Sequence, residues 1–179
     1  SQVEPRLSTA KDTELAAWGW LLLRGSAAAV RNNKPDSSDE FLSLAEVAAL
    51  RMQNSSAGGA YHQYWSSFNL RTVKIKRAEA LMVVGDAKGA LKVSEEIRLP
   101  KQRKFSSDNI NRHLLDLAMA HASLRNFDES AGILSALNSA SPEWLRHQRK
   151  ARDVFRLIVR SRRRLPRDMQ SVSKTLGLD

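Results

Sequence analysis

Residues Asn109–Glu143 decide the fold, and they read NINRHLLDLAMAHASLRNFDESAGILSALNSASPE. The apolar positions first recur at helical spacing, and Asn126-Phe127 interrupts that pattern. A second helical pattern follows, and Pro142 ends it because proline has no backbone N–H to continue a helix. The stretch therefore predicts two helices joined by a short turn. Small residues stand where the two helices are expected to cross closely, at Ala118 and Ser130.

The same stretch matches the tetratricopeptide repeat pattern, W-x₂-L-G-x₂-Y…A-x₃-F…P, element by element. Leu114, Leu117, Ala118 and His121 take the first four places, and Ser130, Leu134 and Pro142 take the last three. An amphipathic helix pair with arbitrary polar positions does not need small residues at two of these places. We therefore predict a helix-turn-helix repeat of tetratricopeptide type.

The same frame fits two further segments. Small residues fall at Ser26, Ser38 and Ala45 in one segment, and at Ala78 and Ala90 in the other. We therefore expect an all-α, tetratricopeptide-like right-handed solenoid of antiparallel helix pairs with a long C-terminal capping helix. A polar lead-in, residues 1–12, precedes a single domain over residues 13–179. Its predicted repeats are about 19–52, 71–102 and 111–144, followed by capping helices at 142–164 and 167–176.

Composition narrows the class of protein. Hydrophobic residues make up 42% of the 179-residue chain, enough for one domain with a real core. The chain has no cysteine, so disulfide and thiol chemistry are excluded, and we expect a cytoplasmic location. Its four histidines show no metal-ligand spacing, and no phosphate-binding glycine loop or nucleophile motif is present. We expect no enzyme activity and no cofactor, and the net charge of +10 favours acidic partners.

Three segments resemble actinobacterial transcription regulators, specifically the C-terminal tetratricopeptide-like half of XRE-type helix-turn-helix proteins. They are Tyr64–Phe68 running into Gly85-Asp86, His113–Ala122, and the arginine-rich ending Val154–Leu176. The resemblance covers nearly the whole chain from about Trp18. It implies a DNA-binding domain ahead of such a segment, and this chain has none. We expect either that it is the regulatory domain alone or that the protein works without its own DNA reader.

The repeat frame also predicts a ligand groove lined by the first helix of each pair. Its apolar floor carries two methionines, which adapt to more than one ligand shape. Arginines on its sides, opposite a single acid, suit a peptide, a protein or a small anionic effector. The alternative is that the methionines only pack against the next repeat. The predicted groove residues are Trp20, Ile75, Glu79, Met82, Arg112, Leu115, Met119, Arg146 and Arg149.

A basic contact face is predicted on the long C-terminal helix, at Arg152, Arg156, Arg160, Arg163 and Arg164. Three functions follow from these patterns. The first is a regulatory module that senses an effector in its groove. The second is a dimerisation or scaffold module, with a homodimer as one form, whose arginine helix contacts an acidic surface. The third is direct nucleic-acid binding, although aromatic residues are poorly interleaved with the basic ones.

Overall fold

The computed structural model describes residues 11–55, 68–97, 108–161 and 167–178. These residues are 85% helical and contain no strand, which confirms the all-α class. None of the described helices is long and apolar enough to cross a membrane. The helices are α1 Asp12–Arg31, α2 Pro35–Ser55, α3 Leu70–Val83, α4 Ala87–Glu95, α5 Asp108–Ser123, α6 Phe127–Ala140, α7 Pro142–Arg146, α8 Arg149–Arg160 and α9 Arg167–Leu176.

The chain divides into two units, Ser1–Gly85 with α1 to α3 and Asp86–Asp179 with α4 to α9. The boundary falls in the turn after α3, inside the segment that the repeat frame treats as the second repeat. Each unit has its own hydrophobic core, so the two are described one at a time.

In the first unit, α1 and α2 form a helix pair joined by a turn at Asn32–Lys34. The two helices meet at Ser26 and Ser38, whose hydroxyl oxygens are 2.8 Å apart and buried. The adjacent core is apolar, and α3 packs against both helices. Its buried members include Trp18, Leu22, Leu23, Leu42, Ala45, Ala48, Phe68 and Val73.

In the second unit, α5 and α6 form the equivalent pair. The buried Ser130 hydroxyl donates a 2.7 Å hydrogen bond to the backbone carbonyl of Ala118, whose side chain is fully buried. α8 and α9 complete this unit by packing on α6, and α4 packs on α5. The shared core includes Leu115, Leu134, Leu137, Leu145, Val154, Phe155, Ile158, Met169, Val172 and Leu176.

Three turns share one backbone feature. Asn33, Gly85 and Arg125 all have positive φ, of 55°, 82° and 65°. Each follows the first small residue of its predicted repeat by seven positions, those residues being Ser26, Ala78 and Ala118. In two of the turns the next residue closes the helix end, since Lys34 N–H bonds Ala29 and Asn126 N–H bonds His121, both at 2.9 Å. A left-handed residue followed by such a bond is a common helix C-terminus.

Two predicted helix boundaries are wrong. The sequence pattern, with aromatic residues at Tyr64, Trp65 and Phe68, predicts a long third helix from near Tyr61 to Val84. In the structure α3 begins at Leu70, and residues 56–67 lie outside the described residues. Asn69 ends the helix on that side, because its side chain accepts a 3.0 Å hydrogen bond from Thr72 N–H as an N-cap.

The sequence also predicts a second helix from Phe41 to about Met52, capped by the polar residues before it. In the structure α2 already begins at Pro35, because proline fits the first helical position.

The predicted continuous helix over 142–164 is also wrong, because the chain breaks at His147-Gln148 into α7 and α8. Backbone bonds from Gln148 to Leu145 and from His147 to Trp144 tighten this turn. On one unbroken helix, Leu145 would point about 130° away from the buried face of α8, given about 100° per residue. The break allows Leu145 to enter the same core as Ile158.

Two helical glycines make a test of the packing. A Cβ added to Gly19 would collide with the buried ring of Phe68, whereas a Cβ at Gly132 on α6 would meet open space. We expect Gly19→Ala to lower the free energy of unfolding by about 1–3 kcal/mol through overpacking. Gly132→Ala should raise it by about 0.5–1 kcal/mol through helix propensity. Urea denaturation measures both, and effects of the same sign would contradict the packing of α1 against Phe68.

Candidate functional site

Of the predicted groove residues of the first unit, Glu79 lines a small cleft between α1 and α3, whereas Trp20, Ile75 and Met82 are not part of its lining. Glu79 bridges the two helices, with oxygens 3.0 Å from Arg31 and 2.7 Å from Lys76. Ile75 is buried, and Met82 is half-buried. Trp20 is also half-buried, and its ring lies 6.2 Å from that of Phe68.

The single carboxylate at this cleft, that of Glu79, is already paired with two cations. Burial by itself raises the carboxyl pKa of Glu79, but hydrogen bonds and charge from Lys76 and Arg31 outweigh it and leave the pKa lowered. The cavity volume of the cleft is about 10 Å³, far below the roughly 300–1,000 Å³ of a drug-sized ligand site. Its lining residues are Leu23, Ser26, Ala27, Val30, Arg31, Lys76, Glu79, Ala80 and Val83. This cleft fits an interhelical ion-pair cluster better than a ligand site.

The predicted groove residues of the second unit are distributed differently from the expectation. Leu115 is only 2% exposed because it belongs to the core, so it offers no floor to a ligand. Met119 is half-buried and packs against that same core. Arg112 and Arg146 are exposed and lie 3.4 Å and 3.8 Å from acids on their own helices, Asp108 and Glu143. Because the predicted groove draws on both units, its assembly stays a prediction.

A basic surface lies on α8. Arg149, Arg156 and Arg160 are exposed, and on the helix they stand opposite the buried residues Ala151, Val154, Phe155 and Ile158. We call these three the arginine ridge. It spans about 16 Å, from 11 residues at about 1.5 Å each. Arg152 is half-buried and donates a 2.7 Å bond to the Arg146 carbonyl, while Arg163 and Arg164 lie outside the described residues.

Asp116 fixes the orientation of α8. This buried carboxylate on α5 accepts a hydrogen bond from the Lys150 ammonium on α8. Arg156 pairs with Asp153 on its own helix at 3.3 Å. The ridge therefore stands on a helix that is held both by apolar packing and by an interhelical ion pair.

His113 is a buried polar residue that the sequence analysis did not single out. Its imidazole is almost completely buried, and its Nδ1 has no hydrogen-bond partner. Burial lowers the pKa of His113 to about 4. Its neighbours in the sequence, Asn111 and Asp116, are also buried, which gives α5 an unusually polar inner face. Helical periodicity alone does not distinguish such a buried histidine from an exposed one, because its burial depends on the helices that pack around it.

The chemistry of the described residues is limited. No three His, Cys, Asp or Glu side chains among them come together as a metal site. Some charged groups pair across helices, as Arg31 does with Glu79, and others pair along one helix, as Arg156 does with Asp153. No family model, curated protein or solved structure matches this chain.

The burial of His113 predicts a pH-dependent stability. Its pKa in the folded state, about 4, lies below the value of 6.5 for a solvated histidine, so the unfolded state takes up the proton first as the pH falls. The contribution of His113 to the free energy of unfolding is therefore fully present above about pH 6.5 and is lost progressively down to about pH 4. The loss approaches about 3 kcal/mol at roughly 1.4 kcal/mol per pKa unit.

Urea denaturation between pH 7 and pH 4 measures this loss. His113→Leu removes the buried imidazole and should flatten the part of the pH profile below pH 6.5. His147→Gln removes an exposed histidine and is the matched control. Equal pH profiles for wild type and His113→Leu would contradict the assignment.

Proposed function

We propose that this chain is a non-enzymatic protein-interaction module that binds an acidic partner protein through the arginine ridge of α8. We further propose that its helix pairs are tetratricopeptide-type repeats, and that it serves as the regulatory part of a transcription regulator, as the resemblance implies. The observation that carries the proposal is the arginine ridge itself. Three arginines face solvent from a helix whose opposite side is fixed in the core.

The rigid attachment of α8 favours binding, because a helix that is already ordered loses less conformational entropy when it contacts a partner. Val154 and Ile158 anchor α8 in the core, and Lys150 joins it to Asp116 on α5. The guanidinium groups of Arg149, Arg156 and Arg160 are thus presented at set intervals. Arginine also forms planar, bidentate bonds to carboxylates, which a flexible lysine side chain does not match.

The composition of the ridge favours a protein over a nucleic acid. Leu157 beside Arg156 is 37% exposed, and arginine near apolar side chains is common at protein interfaces. The aromatic residue of α8, Phe155, is buried and cannot stack on a base.

The tetratricopeptide part of the proposal rests on repeated geometry. In each helix pair, two buried small residues stand 12 positions apart, Ser26 with Ser38 and Ala118 with Ser130, and they meet through a hydroxyl group. Both pairs turn through a left-handed residue at the same place, Asn33 or Arg125. Two hairpins built alike in one chain are what repetition of a single unit produces.

Effector binding in a groove is our second candidate, and the half-buried position of Met119 on α5 is the observation that favours it. The first unit gives little support to effector binding, because the Glu79 carboxylate is already paired with Arg31 and Lys76. We therefore place the main contact on the arginine ridge.

A charge reversal tests the main proposal. A fluorescent polyglutamate peptide serves as the acidic probe, and anisotropy measures its affinity for the chain at low ionic strength. Arg156→Glu with Arg160→Glu should weaken binding at least about tenfold, because complementary charges become repulsive. The control, Arg24→Glu with Lys34→Glu, makes the same change in net charge at exposed positions on the first unit and should leave most of the affinity.

A duplex DNA probe separates the two classes of partner. We expect the charge reversal on the ridge to weaken binding of the polyglutamate peptide more than binding of the DNA. If the control weakens peptide binding as much as the ridge variant does, binding reflects net charge and the proposed site is wrong. If only DNA binding depends on the ridge, with a steep salt dependence, the module reads nucleic acid instead.

A further inference from the structure

An apolar stripe lies on the outer face of α2. Leu44, Val47 and Leu50 are 40%, 48% and 44% exposed, although each is a large aliphatic residue. They recur every three residues and therefore follow one side of the helix. The opposite side of α2 is the one that packs in the core, through Leu42, Ala45, Ala48 and Ala49. We call the three exposed residues the outer stripe.

Charged residues of opposite sign flank the outer stripe. Glu40 lies one turn before Leu44, and Arg51 lies one turn after Val47, and both are exposed. On a helix of about 100° per residue, Glu40 and Arg51 fall within about 40° of Val47. The outer stripe thus has an acidic end and a basic end on the same face.

We infer that a second copy of this chain docks on the outer stripe, with the two α2 helices antiparallel about a two-fold axis at Val47. This arrangement places Val47 against Val47 of the partner subunit. By symmetry it places Leu44 against Leu50 of the partner subunit, and Leu50 against the partner's Leu44. The outer stripe of one subunit thus packs on the outer stripe of the other, as an isologous dimer requires.

The flanking charges select this arrangement. In the antiparallel pair, Arg51 lies within one helical turn of the partner's Glu40, and the same contact recurs at the other end of the stripe. A parallel pair would instead place Glu40 beside the partner's Glu40, and Arg51 beside the partner's Arg51. Like charges at a contact are destabilising, so the parallel pair is excluded in favour of the antiparallel one.

The size of the outer stripe sets the strength of the dimer. Three aliphatic side chains are a small apolar area beside the roughly 800 Å² per partner of a stable specific interface. The dimer is therefore weak and dependent on concentration. The stripe shares no residue with the arginine ridge, since the stripe lies on α2 of the first unit and the ridge on α8 of the second.

Sedimentation velocity of the full chain over a range from micromolar to millimolar concentration tests the dimer. The weight-average mass of the wild type should rise from monomer toward dimer across this range. Val47→Glu sets two carboxylates against each other on the two-fold axis and should keep the chain monomeric. The control Leu21→Glu changes an equally exposed aliphatic residue on α1, which is 53% exposed, and should associate as wild type does.

A charge exchange tests the direction of the helices. Arg51→Glu alone should weaken the dimer, because it faces the partner's Glu40 with a like charge. Glu40→Arg combined with Arg51→Glu should restore the dimer to wild-type strength, because the pairs are then reversed at both ends. A double variant no stronger than the single one contradicts the antiparallel pairing.

The absence of native cysteine gives a second, independent readout. Helices packed at about 8–10 Å, with Cα atoms at about 2.3 Å from each axis, bring facing Cα atoms to about 3.4–5.4 Å. The upper part of that range lies within disulfide reach, which begins at about 4.4 Å between Cα atoms. Under mild oxidation, Val47→Cys should form a covalent dimer much faster than Leu21→Cys. A wild type that stays monomeric at the highest concentration, a Val47→Glu variant that still dimerises, or equal cross-linking of both cysteine variants overturns the inference.

Discussion

The close approach of paired helices at small residues is the constraint on which the rest of the structure depends. At Ser26 with Ser38, and at Ala118 with Ser130, the two helices come near enough for a hydroxyl to reach across. A larger side chain at any of these places would push the helices apart. A buried hydroxyl without a partner costs about 1–3 kcal/mol, so each serine also requires the neighbour that it finds. Packing and hydrogen bonding therefore demand the same geometry.

The packing of the helix pairs also determines which helix faces are exposed to solvent. Once α5 and α6 are set, their apolar sides define the core into which Leu145, Val154 and Ile158 fit. The break between α7 and α8 turns α8 so that its apolar side enters this core, and the arginine ridge is left facing solvent. Asp116, which is buried on α5, then meets Lys150 and fixes the helix further. The basic surface is a consequence of the packing and does not contribute to it.

Much of the fold could be predicted from the sequence because its signals are local. Small residues at fixed spacing, Pro142 at a helix start and Gly85 after a helix end identify the helix pairs without tertiary information. The left-handed turn at Arg125 is different, since arginine carries no preference for positive φ, and only the repeat frame points to it. The break at His147-Gln148 is also invisible locally, because residues 142–160 contain no glycine and no internal proline. It follows from the need to bury Leu145 together with Ile158.

The candidate sites were less predictable than the fold. A repeat frame assigns directions to side chains, but it does not say which of them the neighbouring helices cover. It assigned Leu115 to a groove although the core takes it, and it gave no reason to notice His113. Helical periodicity separates the arginines of α8 from its apolar residues, but the repeat frame assigned Arg149 to the groove and did not indicate that Arg152 is half-buried. Burial of individual side chains requires the partner helices, and a single sequence does not specify those.

The stability of Ala118→Leu tests the central claim most directly. Ala118 is fully buried where Ser130 bonds its carbonyl, whereas Ala140 is exposed at the end of α6 and makes a matched control. If small residues set the helix crossing, Ala118→Leu lowers the free energy of unfolding by about 1–3 kcal/mol in urea denaturation. Ala140→Leu should change it by less than about 0.5 kcal/mol, as surface substitutions usually do. Equal stabilities of the two variants would contradict a close crossing of α5 and α6 at Ala118.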